Sequence, residues 1–579
     1  MDGPVRIGNF SGYLGDRFTA IDEVMAGDPV DVLMGDYLAE VTLAALSGRE
    51  SRGYVGYFVN QIRPHLAAIA DRGMKVVTNA GGFAPAALAE ALSGHGLRVA
   101  YVEGDNVLDR LGAYADAGHR LENLDTGEPL AAWGRQPVAA NAYLGGWGIA
   151  RALREGADIV VCGRVTDASL TAGPAAWWHG WSEDDWDALA GAVVAGHVVE
   201  CGAHATGGNF SGFTRIPHLL APGFPIAEIA ADGTSVITKH SRDDGAVTVD
   251  TVTAQLLYEI QGPRYLNPDV TVDLQSVEPR QLSPGRVEIR GATGSPPPPT
   301  TKVAVFAPVG YEIVNTVFVT APDVDQKIDL LKAQIGNDLP DGVEVHFTRI
   351  GSAADNPRTQ WDATVALRVM ATAAERDPLM RLQLARRLTS LYLQSIPGFY
   401  HDGGSQLTGT PKPRIDFWPA LLPMSAVDHR VVVEGRTYDI PARAKTEITS
   451  QPTHPEPMEP PPATDVREVP LGTIAYARSG DKGGNSNVGI WVSDDRAWPW
   501  LRQALSTVEL RRLVPELAGL EVVRHEFPRL RAVHFVLKGL LGTGGSANLR
   551  VDRVGKAVGE YIRAKHLPVP VELLEHSAN

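Results

Sequence analysis

The residues best suited to chemistry are carboxylates, amides and one arginine that each follow a short apolar run. They are Asp36, Asn79, Asp105, Asn106, Arg164 and Asp167, with Glu40 one helical turn beyond Asp36. Carboxylates supply general acids and bases, and an arginine can hold a carboxylate or phosphate through two parallel hydrogen bonds. Within Gly163-Arg164-Val165-Thr166-Asp167, the glycine admits close approach to the backbone and the following helix offers free N–H groups. An Arg164–Asp167 ion pair that only braces the loop is the structural alternative. Cys201 and His204 form a second candidate pair, a thiol that a nearby imidazole could activate, although a lone cysteine more often packs in a core. Ala477-Arg478-Ser479-Gly480-Asp481-Lys482-Gly483-Gly484-Asn485 is a third: glycines around an Asp-Lys pair read as an exposed anion-binding loop, contributing Ser479, Asp481, Lys482 and Asn485. Its spacing is not that of a Walker A loop, and no G-x-G-x-x-G follows the first strand, so dinucleotide binding in that form is excluded.

The elements that must position these residues repeat one pattern: apolar run, polar or glycine-rich tip, helical stretch. The runs lie at 5–10, 30–34, 74–77, 97–102 and 159–162. They are continuous rather than alternating, as strands buried on both faces are. Helical stretches at 58–71, 85–92 and 148–155 separate some of them. The order predicts an α/β protein with a mainly parallel sheet flanked by helices, doubly wound in preference to a closed β/α barrel. Ligands of such sheets bind beyond the carboxyl ends of the strands, which gathers the tip residues towards one crevice. Segments 247–257 and 270–274 read as strand material, and 379–394 as a helix.

Three regions follow from this pass: an α/β domain over 1–450, a proline-rich linker over 451–465, and a module over 466–573. In the module, strands at 473–477, 487–492, 521–526 and 532–537 and helices at 498–513 and 555–565 predict a small α+β sandwich.

The whole chain has 579 residues, a formal net charge of −15 and pI near 5.5. An acidic balance without a basic run argues against a nucleic-acid partner. Two cysteines, an N-terminus without signal-peptide character and no bilayer-length apolar run predict a cytoplasmic protein without a membrane partner. An anionic small molecule is the expected ligand and a homo-oligomer the expected assembly. No cofactor is identified; a divalent cation held by the acidic cluster is the candidate.

Several stretches carry a family resemblance: GDYLAEVTL (35–43), KVVTNAGG (75–82), ANAYLGGWGIARAL (140–153), GADIVVCGRVTDASL (156–170), AGHVVECGAHATGG (195–208), ARSGDKGGNSNVG (477–489) and LRVDRVGK (549–556). Spread in order along the chain, they resemble the acyclic terpene utilisation protein AtuA family. That resemblance implies an α/β domain followed by a ferredoxin-like domain, and a link to catabolism of branched or terpenoid acids as acyl-CoA thioesters. Three functions stand open. The first is an enzyme of hydration/dehydration or C–C lyase type. The second is a Cys201/His204 hydrolase or acyl transferase, and the third a non-catalytic acyl-binding subunit.

Overall fold

The computed structural model describes residues 3–47, 52–402, 407–457 and 465–575. The chain divides into two units, one formed by Met1–Phe306 with Phe417–Asn579 and the other by Ala307–Asp416.

The first unit is built on an open sheet with eleven strands among the described residues. Its centre holds the five expected strands: β1 (Val5–Ser11), β2 (Val32–Gly35), β3 (Lys75–Thr78), β4 (Val99–Glu103) and β5 (Ile159–Cys162), all parallel in the order β1-β2-β3-β5-β4. Every residue of β2 and β5 is buried, which is why these runs show no alternation. Antiparallel strands extend both edges: Pro225–Ile229 pairs with β1, and Arg430–Val433 with β4. The sheet ends at two different strands, Glu278–Ser283 and Arg436–Asp439, so it is open rather than a barrel and is mixed rather than mainly parallel. The added strands are short, four to six residues long, and carry little periodic signal. Helices Ser169–His179 and Trp186–Val199 are apolar nearly all round and form the buried centre of the unit.

Four expected elements differ; one of them, the helix expected over 379–394, is two, Arg376–Leu382 and Leu384–Ser390, parted by Gln383 at φ +48°. Segment 247–257 is not strand but holds the helix Val249–Leu256, started by Thr248, whose hydroxyl accepts the Thr251 N–H in a capping box. The run of Val and Thr imitates a strand, and the cap decides against it. The helix expected over 58–71 is two, Gly56–Ile62 and Leu66–Arg72, because Pro64 lacks the N–H a continuous helix needs. The helix expected over 498–513 is also two, the second opened by Ser506 accepting the Glu509 N–H.

The C-terminal module belongs to the same unit. Four antiparallel strands run in the order β6 (Tyr476–Lys482), β7 (Asn485–Trp491), β9 (Ala532–Leu537), β8 (Val522–Phe527), with helices packed on the sheet as an α+β sandwich. The motif read as an exposed loop is mostly strand: Arg478, Ser479 and Gly480 are buried in β6, and only Gly483-Gly484 forms the turn. A Gly-Gly pair between two strands makes a two-residue hairpin, and Gly483 takes φ +64°. Linker residues 458–464 lie outside the described residues.

In the second unit, an antiparallel pairing of 311–320 with Thr364–Ala373, joined by Glu344–Ile350, packs the helix Val324–Gly336 against its face. None of the candidate residues lies in it.

Candidate active site

The strand ends place their polar residues by a chain of hydrogen bonds. Asn79, beyond β3, accepts the Tyr37 N–H at 2.7 Å and donates to Asp36 at 2.6 Å. Asp105, beyond β4, accepts the Arg164 N–H and the Asn141 side-chain N–H on one carboxylate oxygen, both at 2.7 Å. A Cβ on Gly163 would stand 2.4 Å from that carboxylate, so only glycine allows β5 to end there. The buried Arg164 guanidinium donates to the Leu38 carbonyl at 2.6 Å and to Asp167 at 2.5 Å. It lies 4.1 Å from the centre of the Tyr143 ring, and its Nε has no hydrogen-bond partner among the described residues. Tyr143 in turn donates its hydroxyl to Glu40 at 2.9 Å, and Lys302 donates to the same oxygen at 2.9 Å.

The C-terminal module supplies a second set of groups. Asp125 of the α/β part accepts the Gly484 N–H at 3.1 Å and the Asn485 side-chain N–H at 2.7 Å, seating the hairpin. Tyr258 carries two cations on its ring, the Arg478 guanidinium at 4.1 Å and the Lys556 ammonium at 4.3 Å. The next residue, Glu259, takes φ +53°, a strained position for a non-glycine residue, and accepts from Lys556 at 3.0 Å.

These two sets act on each other electrostatically. Burial opposes ionisation of Glu40, yet Lys302, Arg164 and Lys482 outweigh it and hold the carboxyl well below the ordinary carboxylate range. Burial lifts Glu259 to about 7, against the pull of Lys482 and with Glu40 and Asp167 adding to the rise. Asp481 is lifted to about 8 by burial, with Glu259 and Glu40 contributing. Asp36 and Glu200 are pushed well above the carboxylate range by burial and then by the charge of Asp167. Neighbouring acidic groups therefore hold Arg164, Lys302 and Lys482 in their charged forms, burial works against the charge of Arg478, and several acids of the set are held towards the neutral form. Its balance near neutral pH favours an anion.

Of the residues expected from sequence, Asp36, Glu40, Arg164, Asp167, Asp481 and Lys482 share this electrostatic neighbourhood. Asn79 braces Asp36, and Asp105 braces Arg164 while burial lifts its own carboxyl to about 6. Asn106 is exposed and accepts the Leu108 N–H at 3.2 Å, a local turn rather than a cleft contact. Ser479 is committed to the Lys556 carbonyl and the Gly559 N–H, and Asn485 to Asp125 and the Gly539 N–H.

Cys201 and His204 share no side-chain hydrogen bond among the described residues. His204 takes the Arg478 N–H on Nδ1 at 2.9 Å and meets Asn209 through Nε2 at 3.0 Å, so neither ring nitrogen faces the thiol. Burial, then Glu200 and Glu259, push the thiol well above its ordinary range. Burial with Arg478 and Lys556 holds the imidazole well below its own. A thiolate pair needs the opposite shifts.

Sequence reasoning missed Tyr143, Glu259, Lys302, Arg478 and Lys556 as site residues. Lys302 alone carried a signal, a single cation facing inward from the apolar run 303–307. Glu259 lies just beyond the helix Val249–Leu256, outside any expected element. Among the described residues, no group of three or more His, Cys, Asp or Glu is arranged to hold a metal ion, and no helix is long and apolar enough to cross a membrane.

Two family models match the chain. The one described as acyclic terpene utilisation family protein AtuA covers residues 5–433, and the AtuA ferredoxin-like domain covers residues 469–568. No curated protein and no solved structure matches.

Proposed function

The chain belongs to the acyclic terpene utilisation AtuA family, and on that premise we propose that it is an enzyme acting on a carboxylic acid or its acyl thioester by proton transfer next to a carbonyl, in a hydration/dehydration or C–C lyase reaction. One observation carries this reading: Glu259, lifted to about 7, feels Lys482 and Glu40, and Glu40 in turn feels Lys302, Arg164 and Lys482. A base with its pKa near the working pH and fixed cations beside it are what removal of a proton next to a carbonyl requires.

The roles divide by environment. Lys482 and Arg164 attract the substrate's anionic group. Glu259 takes or returns the proton. Asp481, lifted to about 8, is protonated at neutral pH and donates. Glu40 stays ionised and fixes Lys302 beneath the Tyr143 hydroxyl, which is a positioning role. The Cys201/His204 reading has no comparable support, since the two side chains share no hydrogen bond among the described residues and both shifts run the wrong way for it.

The test is exchange and turnover in D2O, followed by NMR, for branched 3-hydroxy, 3-oxo and 2,3-unsaturated acids and their CoA thioesters. Deuterium incorporation next to the carbonyl, lost in Glu259→Gln, supports the reading. Binding of these compounds without exchange or turnover by the native chain overturns it in favour of a non-catalytic acyl-binding subunit.

A further inference from the structure

The motif Leu549-Arg550-Val551-Asp552-Arg553-Val554-Gly555-Lys556 has no part in that account, and its geometry serves one end. Asp552 accepts the backbone N–H groups of Lys556 at 3.0 Å and Ala557 at 2.8 Å, closing the chain into a tight turn. Gly555 takes φ +63°, and a Cβ there would stand 2.5 Å from the Ser486 hydroxyl. Ser486 donates to the Gly480 carbonyl, and Ser479 to the Lys556 carbonyl. The turn is thus welded to β6 and β7, and it carries Lys556 to Tyr258 and Glu259. The ammonium rests over the Tyr258 ring with the Glu259 carboxylate 3.0 Å away, and it feels both Cys201 and Glu40.

We propose that Lys556 is a nucleophilic amine that forms an imine with a ketone or aldehyde carbonyl of the substrate, with Glu259 as its proton partner. This rests on the proposed function and selects its C–C lyase branch, with an oxo or hydroxy acid as the substrate class. The geometry fits the step. A proton moves from the ammonium to the Glu259 carboxylate, leaving a neutral amine beside a carboxylic acid. The nitrogen lone pair forms the C–N bond while the carbonyl π pair moves onto oxygen. That oxygen leaves as water, carrying one hydrogen from the amine and one from Glu259. A protonated imine and a Glu259 carboxylate remain, ready to accept the electron pair of a breaking carbon–carbon bond and the proton of a β-hydroxyl. Burial supports the same assignment by lowering Lys556 from its usual value to about 8. Lysines tuned in this way are the ones that serve as Schiff-base amines.

A structural ion pair between Glu259 and Lys556 would dock the module equally well, so the test reads covalent chemistry. The folded full-length chain is incubated with levulinate at neutral pH, reduced with borohydride, digested and mapped by mass spectrometry. The expected result is a reduced adduct on Lys556 at more than about tenfold the level on any surface lysine, because each unit of lowered pKa raises the neutral-amine fraction tenfold. Lys556→Arg should abolish that adduct, and Glu259→Gln should slow its formation in chain that still unfolds cooperatively. Labelling confined to surface lysines, or none, overturns the imine. If proton exchange on the acids of the preceding test persists in that case, only this inference falls; if exchange is absent too, the proposed function falls with it.

Discussion

Asp125 holds Asn485 across the seam between the α/β part and the C-terminal module, its Oδ1 accepting the amide N–H at 2.7 Å while its Oδ2 takes the Gly484 N–H at 3.1 Å. The pair flanks the two-residue turn that follows Lys482, so the position of that cation depends on a carboxylate from another part of the chain. Asp125 is exposed, and water replaces it cheaply. Asp125→Ala should therefore cost about 1 kcal/mol or less in stability. It should nevertheless lower kcat/KM about tenfold or more by letting the hairpin drift, since sub-ångström placement governs rate. Asp125→Asn keeps one acceptor and should fall between. Urea unfolding and steady-state rates on one preparation check both effects; native kcat/KM in Asp125→Ala would detach the hairpin from the site.

Asp105 looks catalytic in sequence and acts as a brace in the structure. One of its oxygens takes both the Arg164 and Asn141 N–H groups, and an asparagine oxygen can do the same. Asp105→Asn should keep turnover within a few-fold, whereas Asp105→Ala orphans a buried N–H and should cost about 2–3 kcal/mol. A pH signature accompanies this. With its folded value raised to about 6, Asp105 binds its proton more tightly in the native state than unfolded. Its contribution is present in full below its unfolded pKa of about 4 and lost as pH rises through 6, a change of about 3 kcal/mol. Stability measured across that window should slope downward in the native chain and flatten in Asp105→Asn.

The difference between Asp105 and Glu259 shows where the sequence was legible. Continuous apolar runs ending in polar tips located all five central strands, because burial on both faces removes alternation and leaves an unmistakable signal. The role of each tip residue depended on which neighbour folds against it. Asp105 turned inward to Arg164 and Asn141, residues 59 and 36 positions away. Glu259 became a site residue only because Lys556, 297 positions on, folds back over it. Spacing along the chain carries no trace of such pairs. The SGDKGG motif was located correctly and its shape misjudged: glycine count suggested a loop, but Gly480 is glycine because a Cβ would strike the Tyr258 ring at 2.5 Å.

Cys201→Ala should retain turnover within about threefold, a change under 1 kcal/mol in barrier height. Its thiol is pushed up by burial and neighbouring carboxylates, and the ring nitrogens of His204 are engaged by Arg478 and Asn209. Iodoacetamide at neutral pH should modify it no faster than a free thiol modified under the same conditions. A hundredfold loss of turnover in Cys201→Ala, with normal stability, would restore the nucleophile reading.

Lys302→Met removes the cation from a half-buried carboxylate that also serves Tyr143. Breaking a fully buried pair from one side costs about 3–5 kcal/mol, and partial exposure brings this loss to about 2 kcal/mol, while Tyr143→Phe, which loses one hydrogen bond, should cost about 1 kcal/mol. The pH dependence has the opposite sign to that of Asp105. Glu40 is depressed in the native state, so its stabilisation is present above its unfolded pKa of about 4.3 and lost as pH falls through the lower folded value. Acid unfolding monitored by circular dichroism should shift to higher pH in Lys302→Met. An unmoved acid midpoint would show that Arg164 and Lys482 alone hold Glu40 ionised.

Glu259 sets the last expectation, the pH dependence of the reaction itself. A base must be deprotonated in the free enzyme, so kcat/KM should rise with pH through about 7, the value to which burial lifts this carboxyl. Because Glu259, Asp481 and Lys482 interact, the observed midpoint belongs to the set rather than to one residue. Glu259→Gln should flatten that limb and lower kcat by about 10²–10⁴, the usual contribution of a positioned base. Glu259→Asp retracts the carboxylate from Lys556, so it should keep the limb and lose less rate. A full acidic limb in Glu259→Gln would move the base to another carboxyl of the cleft, and Asp36, pushed well above the carboxylate range by burial and then by Asp167, is the one whose replacement should then remove it.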